Sequence, residues 1–205
     1  MDEFITEEGI VHNMLKVLAI YGSHRRGQNS DILLDKMLEG IGTSGVSVEK
    51  IFAATPGIKG CTACEGCYKL GRCVIKDEMQ QVYQSIDKAD IVIAASPVYF
   101  YTVTSEMKKL IDRCQAVWAS KYKTESTLIS KKQRVGYIAC TAGEPEERSY
   151  FGCTVKVFEL FFKCINTELK GSLLVSNVDE NHVKDRSDIQ QKAVEAGRLL
   201  RESFE

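Results

Sequence analysis

Short apolar runs alternate with amphipathic stretches along most of the chain, the pattern of strands alternating with helices. Leu15 to Tyr21 (LKVLAIY) is a nearly continuous apolar run of strand length. Asn29 to about Ile41 follows with helical spacing, placing Leu34, Leu38 and Ile41 on one face. Val46 to Phe52 predicts a second strand, and Asp77 opens a helix with Gln80 as its capping-box partner. Ile91 to Ala95 carries no polar residue, as expected of a strand buried on both faces of a parallel sheet. Thr104 to Trp118 predicts a helix, Arg134 to Cys140 a fourth strand, and Tyr150 to Ile165 an apolar helix with Cys153, Val157, Leu160, Phe161 and Cys164 on its stripe. Leu169 to Val175 reads as a fifth strand and Asp188 to Phe204 as the closing helix.

Five strands with intervening helices predict an α/β class, doubly wound parallel sheet in the flavodoxin-like strand order 2-1-3-4-5. The 205 residues suit residues 15–205 as one such domain, with 1–14 as an N-terminal extension and a cysteine-rich insertion at about 57–76. A net charge of −1 leaves no electrostatic footprint for nucleic acid or an anionic membrane. No stretch approaches the roughly 20 apolar residues of a membrane span. Eight cysteines behind an acidic start, MDEFITEEGIVHN, lead us to expect a reducing cytoplasm.

Chemistry enters most sharply at Cys61, Cys64, Cys67 and Cys73, spaced C-x2-C-x2-C-x5-C in GCTACEGCYKLGRCV. Four thiolates this close can converge on one soft metal centre, with Gly60, Gly66 and Gly71 giving the loop its backbone freedom. A cysteine at every third position suits an iron–sulfur cube better than the two separated knuckles of a zinc ribbon. Structural zinc and metal-free thiols are the alternatives, while a catalytic dithiol needs two cysteines rather than four. Cys114, Cys153 and Cys164 read as small core residues, and Cys140 ends a strand without an assigned role. His12, His24 and His182 are dispersed and form no ligand pattern.

Ligands of such sheets bind beyond the carboxyl ends of the strands. After the first strand, YGSHRRGQNS offers Ser23, Arg25, Asn29, Ser30, several backbone N–H groups and a helix N-terminus, together a phosphate cradle or else an ordinary polar loop. It matches neither a G-x-G-x-x-G nor a Gly-Lys-Ser/Thr phosphate loop. After the third, Pro97 fixes the backbone, and Tyr99, Phe100 and Tyr101 can wall a flat ring, pack into the core or meet another subunit. After the fourth, Thr141 and Gly143 offer backbone groups to a ligand, and Glu144, Glu146, Glu147 and Arg148 read as a solvated loop.

YGSHRRGQNS and SPVYFYTVTSEMKKLIDR resemble the two signature segments of the flavodoxin-like NAD(P)H-dependent FMN reductases. His24 stands where the family commonly has proline, and Gln28 lengthens the loop before Asn29. The compact cysteine loop resembles, more narrowly, the iron–sulfur flavoproteins, and the likeness runs from Leu15 to about Cys164. The resemblance implies FMN with its phosphate at Ser23–Ser30. It places the isoalloxazine against Ser96, Pro97, Val98, Tyr99, Phe100 and Tyr101 and against the loop of Cys140, Thr141 and Gly143. It also implies a [4Fe–4S] cluster on Cys61, Cys64, Cys67 and Cys73, and a homodimer or homotetramer. The function implied is an electron-transfer oxidoreductase, with NAD(P)H, ferredoxin or a quinone as donor or acceptor and no conventional catalytic side chain. A cluster-free NAD(P)H-dependent FMN or quinone reductase is the rival enzyme, and a zinc-stabilised flavodoxin-like carrier or redox sensor the rival outside catalysis.

Overall fold

A computed structural model describes residues 3–4, 12–145 and 150–204. Two short strands, β1 (Glu3–Phe4) and β2 (His12–Asn13), pair antiparallel within the segment expected as an extension. The main sheet holds β3 (Leu15–Tyr21), β4 (Val46–Phe52), β5 (Ile91–Pro97), β6 (Val135–Thr141) and β7 (Glu168–Val175). All neighbours are parallel, in the order β4-β3-β5-β6-β7. Counted along these five strands the order is 2-1-3-4-5, as the pattern predicts.

Strand alternation divides the core in two. Leu18, Ile20, Val92, Ala94, Ile138 and Cys140 face α3 (Met79–Lys88), α4 (Ser105–Arg113), α5 (Gln115–Tyr122) and α6 (Gly152–Cys164). Val17, Ala19, Tyr21, Ile91, Ile93 and Ala95 face α1 (Asn29–Ile41) and α7 (Ser187–Glu202). β5 is buried along almost its whole length, as its unbroken apolar run requires. β4 is one of the two edge strands, with β7 the other, and exposes most of its residues.

Three expectations are corrected. The predicted Thr104–Trp118 helix is two helices meeting at Cys114. The Arg113 carbonyl there accepts the Tyr83 hydroxyl at 2.7 Å, and the Val117 N–H turns to the Cys114 carbonyl instead. The α6 stripe is rotated: Thr154, Phe158, Phe161 and Phe162 are buried, whereas Cys153 and Leu160 are exposed and Cys164 is half-buried. Lys156, Glu159 and Lys163 form its exposed side, and among the apolar residues left the large phenylalanine rings take the core face because they bury the most area. Gln80 makes no capping box with Asp77: its amide donates to the Ile75 carbonyl, and Asp77 is engaged elsewhere. Among the described residues no helix is long and apolar enough to cross a membrane.

Candidate functional site

The loops after β3, β4, β5 and β6 all leave the same end of the sheet. After β3, Ser23 is buried, and its hydroxyl accepts the Arg25 N–H at 3.0 Å, folding the chain into a tight bend. The bend projects the Arg25 side chain into solvent, with no hydrogen bond or ion pair to it among the described residues. α1 then begins without a side-chain cap at Gln28, so its first-turn N–H groups are not taken by a neighbouring side chain. Ser30 is buried in that first turn. Asn29 behaves differently from the expected cradle donor. Its Nδ2 donates to the Val178 carbonyl at 3.3 Å and its Oδ1 accepts the Val183 N–H at 2.8 Å, so it ties α1 to the loop after β7. Asp31 accepts the Gly27 N–H, and burial pushes its carboxyl above the usual carboxylate value. His24 is exposed and lies 3.6 Å from Glu106.

After β5, Tyr99 and Thr102 exchange backbone hydrogen bonds and close a tight turn. Its central residues, Phe100 and Tyr101, have φ of 50° and 62°, the left-handed region that bulky side chains rarely adopt. The three aromatic side chains are not in the core: Tyr99 is 50% exposed, Phe100 100% and Tyr101 54%. Strained backbone that displays rings to solvent fits a surface awaiting a flat partner. Pro97 closes β5 beside Thr141, and the Val98 N–H donates to the Thr141 carbonyl at 2.7 Å, locking this loop to the one after β6. Gly143 approaches the Asp179 carboxylate so closely that an added Cβ would lie 2.2 Å from it. Glu144 precedes the undescribed stretch, and Glu146, Glu147 and Arg148 lie outside the described residues.

Sequence reasoning missed several supports of this edge. The Thr104 hydroxyl donates to the Gly22 carbonyl at 2.6 Å and accepts the Met107 N–H, capping α4 while pinning it to the first loop. Buried Ser96 accepts the Thr104 N–H. Tyr150 packs edge-on against Tyr101 at 5.1 Å. Of these only Thr104 carried a local signal, since it heads a helical pattern.

After β4, the four cysteines and the short helix α2 (Gly66–Leu70) wall one concavity of about 410 Å³, with Tyr68 and Arg113 in the same wall. Cys61 and Cys64 are exposed, Cys67 and Cys73 partly buried. The loop turns through left-handed residues at Ala63, Glu65 and Gly71, so of the three glycines expected to give it freedom only Gly71 takes this conformation, and two non-glycine residues supply the other turns. Such conformations turn backbone N–H groups inward, as in many anion and iron–sulfur sites. The Gly66 N–H, helped by the Thr62 hydroxyl, holds the Cys64 thiol below its ordinary value. Burial raises Cys67, and the proximity of Cys73, Cys61 and Cys64 raises it further, so the four sulfurs share one electrostatic neighbourhood. Among the described residues no three His, Cys, Asp or Glu side chains surround a single-ion position. A four-iron cube differs in holding each thiolate on a separate corner, and the four thiols with the Gly66 N–H beside Cys64 fit that group.

α4 joins the two regions. Thr104 and Glu106 contact the first loop, while Asp112 and Arg113 at the other end line the cysteine concavity. At 1.5 Å per residue the helix separates these ends by about 13 Å.

Residues 15–163 match the NADPH-dependent FMN reductase family. An iron–sulfur flavoprotein of Archaeoglobus fulgidus is 30% identical over 183 residues, 89% of this chain and 80% of that one. The chain belongs to the iron–sulfur flavoproteins of the NADPH-dependent FMN reductase family. The chain is an FMN-containing oxidoreductase of that family. The match to an iron–sulfur flavoprotein of Methanosarcina thermophila is 33% identical and spans 48% of this chain and 52% of that one. Among solved structures, a flavone reductase superposes with a TM-score of 0.69 at 16% identity, over 93% of this chain and 63% of that one. An azoreductase from Bacillus anthracis superposes with a TM-score of 0.66 at 13% identity, over 92% and 100%. An archaeal flavodoxin does so at 0.55 and 14% identity, over 93% and 99%. These structural likenesses bear on the fold.

Proposed function

We propose that residues 15–205 form one FMN-binding domain in which Cys61, Cys64, Cys67 and Cys73 hold a [4Fe–4S] cluster that exchanges electrons with the flavin. The observation that carries this reading is the sharing of one concavity by all four thiols at the end of α4, opposite the first loop. Bound there, flavin supplies both one- and two-electron chemistry, and an iron–sulfur centre supplies one-electron exchange.

The residues present bind and orient rather than react. Arg25 and the uncapped first turn of α1 hold the phosphate, with Ser23 shaping the bend and Ser30 backing it. Asn29 contributes by fixing the start of α1. The loop of Pro97, Val98, Tyr99 and Phe100 covers one side of the ring, and the backbone at Thr141 and Gly143 faces its polar edge. The exposed aromatic turn also supports a homodimer or homotetramer, in which a second subunit shelters the flavin. NAD(P)H, ferredoxin or a quinone serves as donor or acceptor. Lys59, Lys69, Arg72 and Lys76 against Glu65 make the 57–76 segment basic, which suits an acidic carrier protein at that end. The setting is the cytoplasm, where thiols stay reduced.

Protein purified without oxygen tests this directly. Flavin bands, broad iron–sulfur absorbance, iron and sulfide in near-equal amounts, FMN by mass, and an oligomer by light scattering are expected. Zinc in place of iron would leave a zinc-stapled flavoprotein, flavin without metal would leave a cluster-free reductase, and FAD would reject the single phosphate cradle.

A further inference from the structure

Arg113 is the last residue of α4, and its side chain is 1% exposed. Guanidinium carries five N–H donors. Four are engaged on this side chain: Nη1 donates to the Lys59 carbonyl at 2.8 Å and to Asp77 Oδ2 at 2.6 Å, and Nη2 donates to Asp77 Oδ1 at 2.9 Å and to the Ile75 carbonyl at 3.5 Å. Nε–H is buried and has no partner among the described residues. A buried donor left unpaired costs about 1–3 kcal/mol, so an orphan in an otherwise saturated fork points to an acceptor that binds there.

The position of the fork says which acceptor. Every group it holds lies on a stem of the cysteine loop: Lys59 just before Cys61, and Ile75 and Asp77 just after Cys73. Arg113 also lines the concavity walled by the four cysteines. Asp77 is held in turn by the Lys59 and Met79 N–H groups, so the ion pair sits on a fixed frame.

We infer that Arg113 is the positioning residue of the cysteine centre: its fork clamps both stems of the loop, and its Nε–H donates to a sulfur of the centre. This rests on the cluster reading above. A donor aimed at sulfur favours the reduced state of such a centre and raises its reduction potential. The Asp77 carboxylate works against that increase by partly cancelling the guanidinium charge.

The test uses anaerobically reconstituted holoprotein as wild type, Arg113→Lys and Asp77→Asn. The potential of the iron–sulfur absorbance is titrated against mediator dyes, with iron content and urea midpoint measured on the same samples. Lysine keeps the charge but has no Nε–H, so the potential should fall by about tenfold in equilibrium constant, about 59 mV for a one-electron couple. Asparagine keeps the frame but leaves Arg113 uncompensated, so the potential should rise by about threefold in equilibrium constant. A purely structural clamp would lower iron content and urea midpoint in both variants and leave the potential of the loaded fraction unmoved. That result overturns the inference, as do shifts of the same sign in both variants. Wild-type protein that takes up no iron and sulfide overturns the cluster reading itself, and the role of Nε–H with it.

Discussion

Two arginines show how differently the same side chain is used at residue scale. Arg113 is buried and nearly saturated by one carboxylate and two carbonyls, whereas Arg25 reaches into solvent beside an uncapped helix start. A guanidinium free of internal partners is available to an anion, and a charge-assisted contact to phosphate is worth about 1.5–3 kcal/mol. Arg25→Ala should therefore weaken FMN binding by about 10- to 100-fold. Because the side chain is exposed, the urea midpoint should stay within about 0.5 kcal/mol of wild type in stability terms. Titration of apoprotein with FMN, followed by flavin fluorescence, measures the affinity, and unchanged binding would move the phosphate elsewhere on the loop. The residues legible in the sequence were those with local signals. The four thiols announce themselves by spacing, and Ser23 and Arg25 by their place after an apolar strand. Asp77 and Arg113 do not, since their pairing joins positions far apart in the chain and depends on the packing of α4. Asn29 was legible as a polar helix start, but not as a tie to the loop after β7.

At the scale of elements, the strands were the most readable part, because the central strands β3 and β5, covered on both faces, leave nearly continuous apolar runs of strand length. β3 and β4 begin and end where the pattern places them. Helices were readable in position but not in face. In α6 apolar residues extend beyond one stripe, so Cys153 and Leu160 could be taken for core although the phenylalanines fill it, and at the break at Cys114 the Arg113 carbonyl accepts a Tyr83 hydroxyl that no local pattern contains. The contact between α1 and α7 was likewise invisible. A Cβ on Gly197 would lie 2.0 Å from the Met37 carbonyl oxygen, and one on Gly40 would lie 1.9 Å from that of Val194. Both obstacles are backbone atoms, so no rotamer change relieves them. Gly197→Ala should force the helices apart and cost about 1–3 kcal/mol or more. Gly152→Ala, where an added Cβ meets nothing within 4 Å, is the matched control and should be nearly neutral. Urea denaturation of the two variants makes the comparison, and equal midpoints would show that α1 and α7 slide apart at little cost.

Across the whole molecule, the loops after β3 and β5 and the loop after β4 form two regions on one sheet edge, held apart and in register by α4. Apart from α4, whose Thr104 pins the first loop and whose Arg113 clamps the cysteine segment, the supports of each region are separate. The first loop is built from Ser23, Asn29 and the start of α1, and the concavity from the cysteine segment clamped by Arg113. Losing one thiol should therefore empty one region and spare the other. Cys67→Ser removes one of the two partly buried thiols and replaces a soft ligand with a hard one. Iron and sulfide should fall by more than half, by the same logic that makes a ligand set cooperative. FMN should remain bound at close to wild-type affinity, because none of its proposed contacts lies on the cysteine loop. Cys153→Ser, at an exposed position on α6, should change neither quantity. Iron, sulfide and flavin are measured side by side in anaerobic preparations of the three proteins. Loss of FMN together with iron in Cys67→Ser would mean that the loop also shapes the flavin site, and the two regions would have to be treated as one cooperative unit. Retained iron in that variant would remove Cys67 from the ligand set and leave three thiols to be matched with a different fourth ligand.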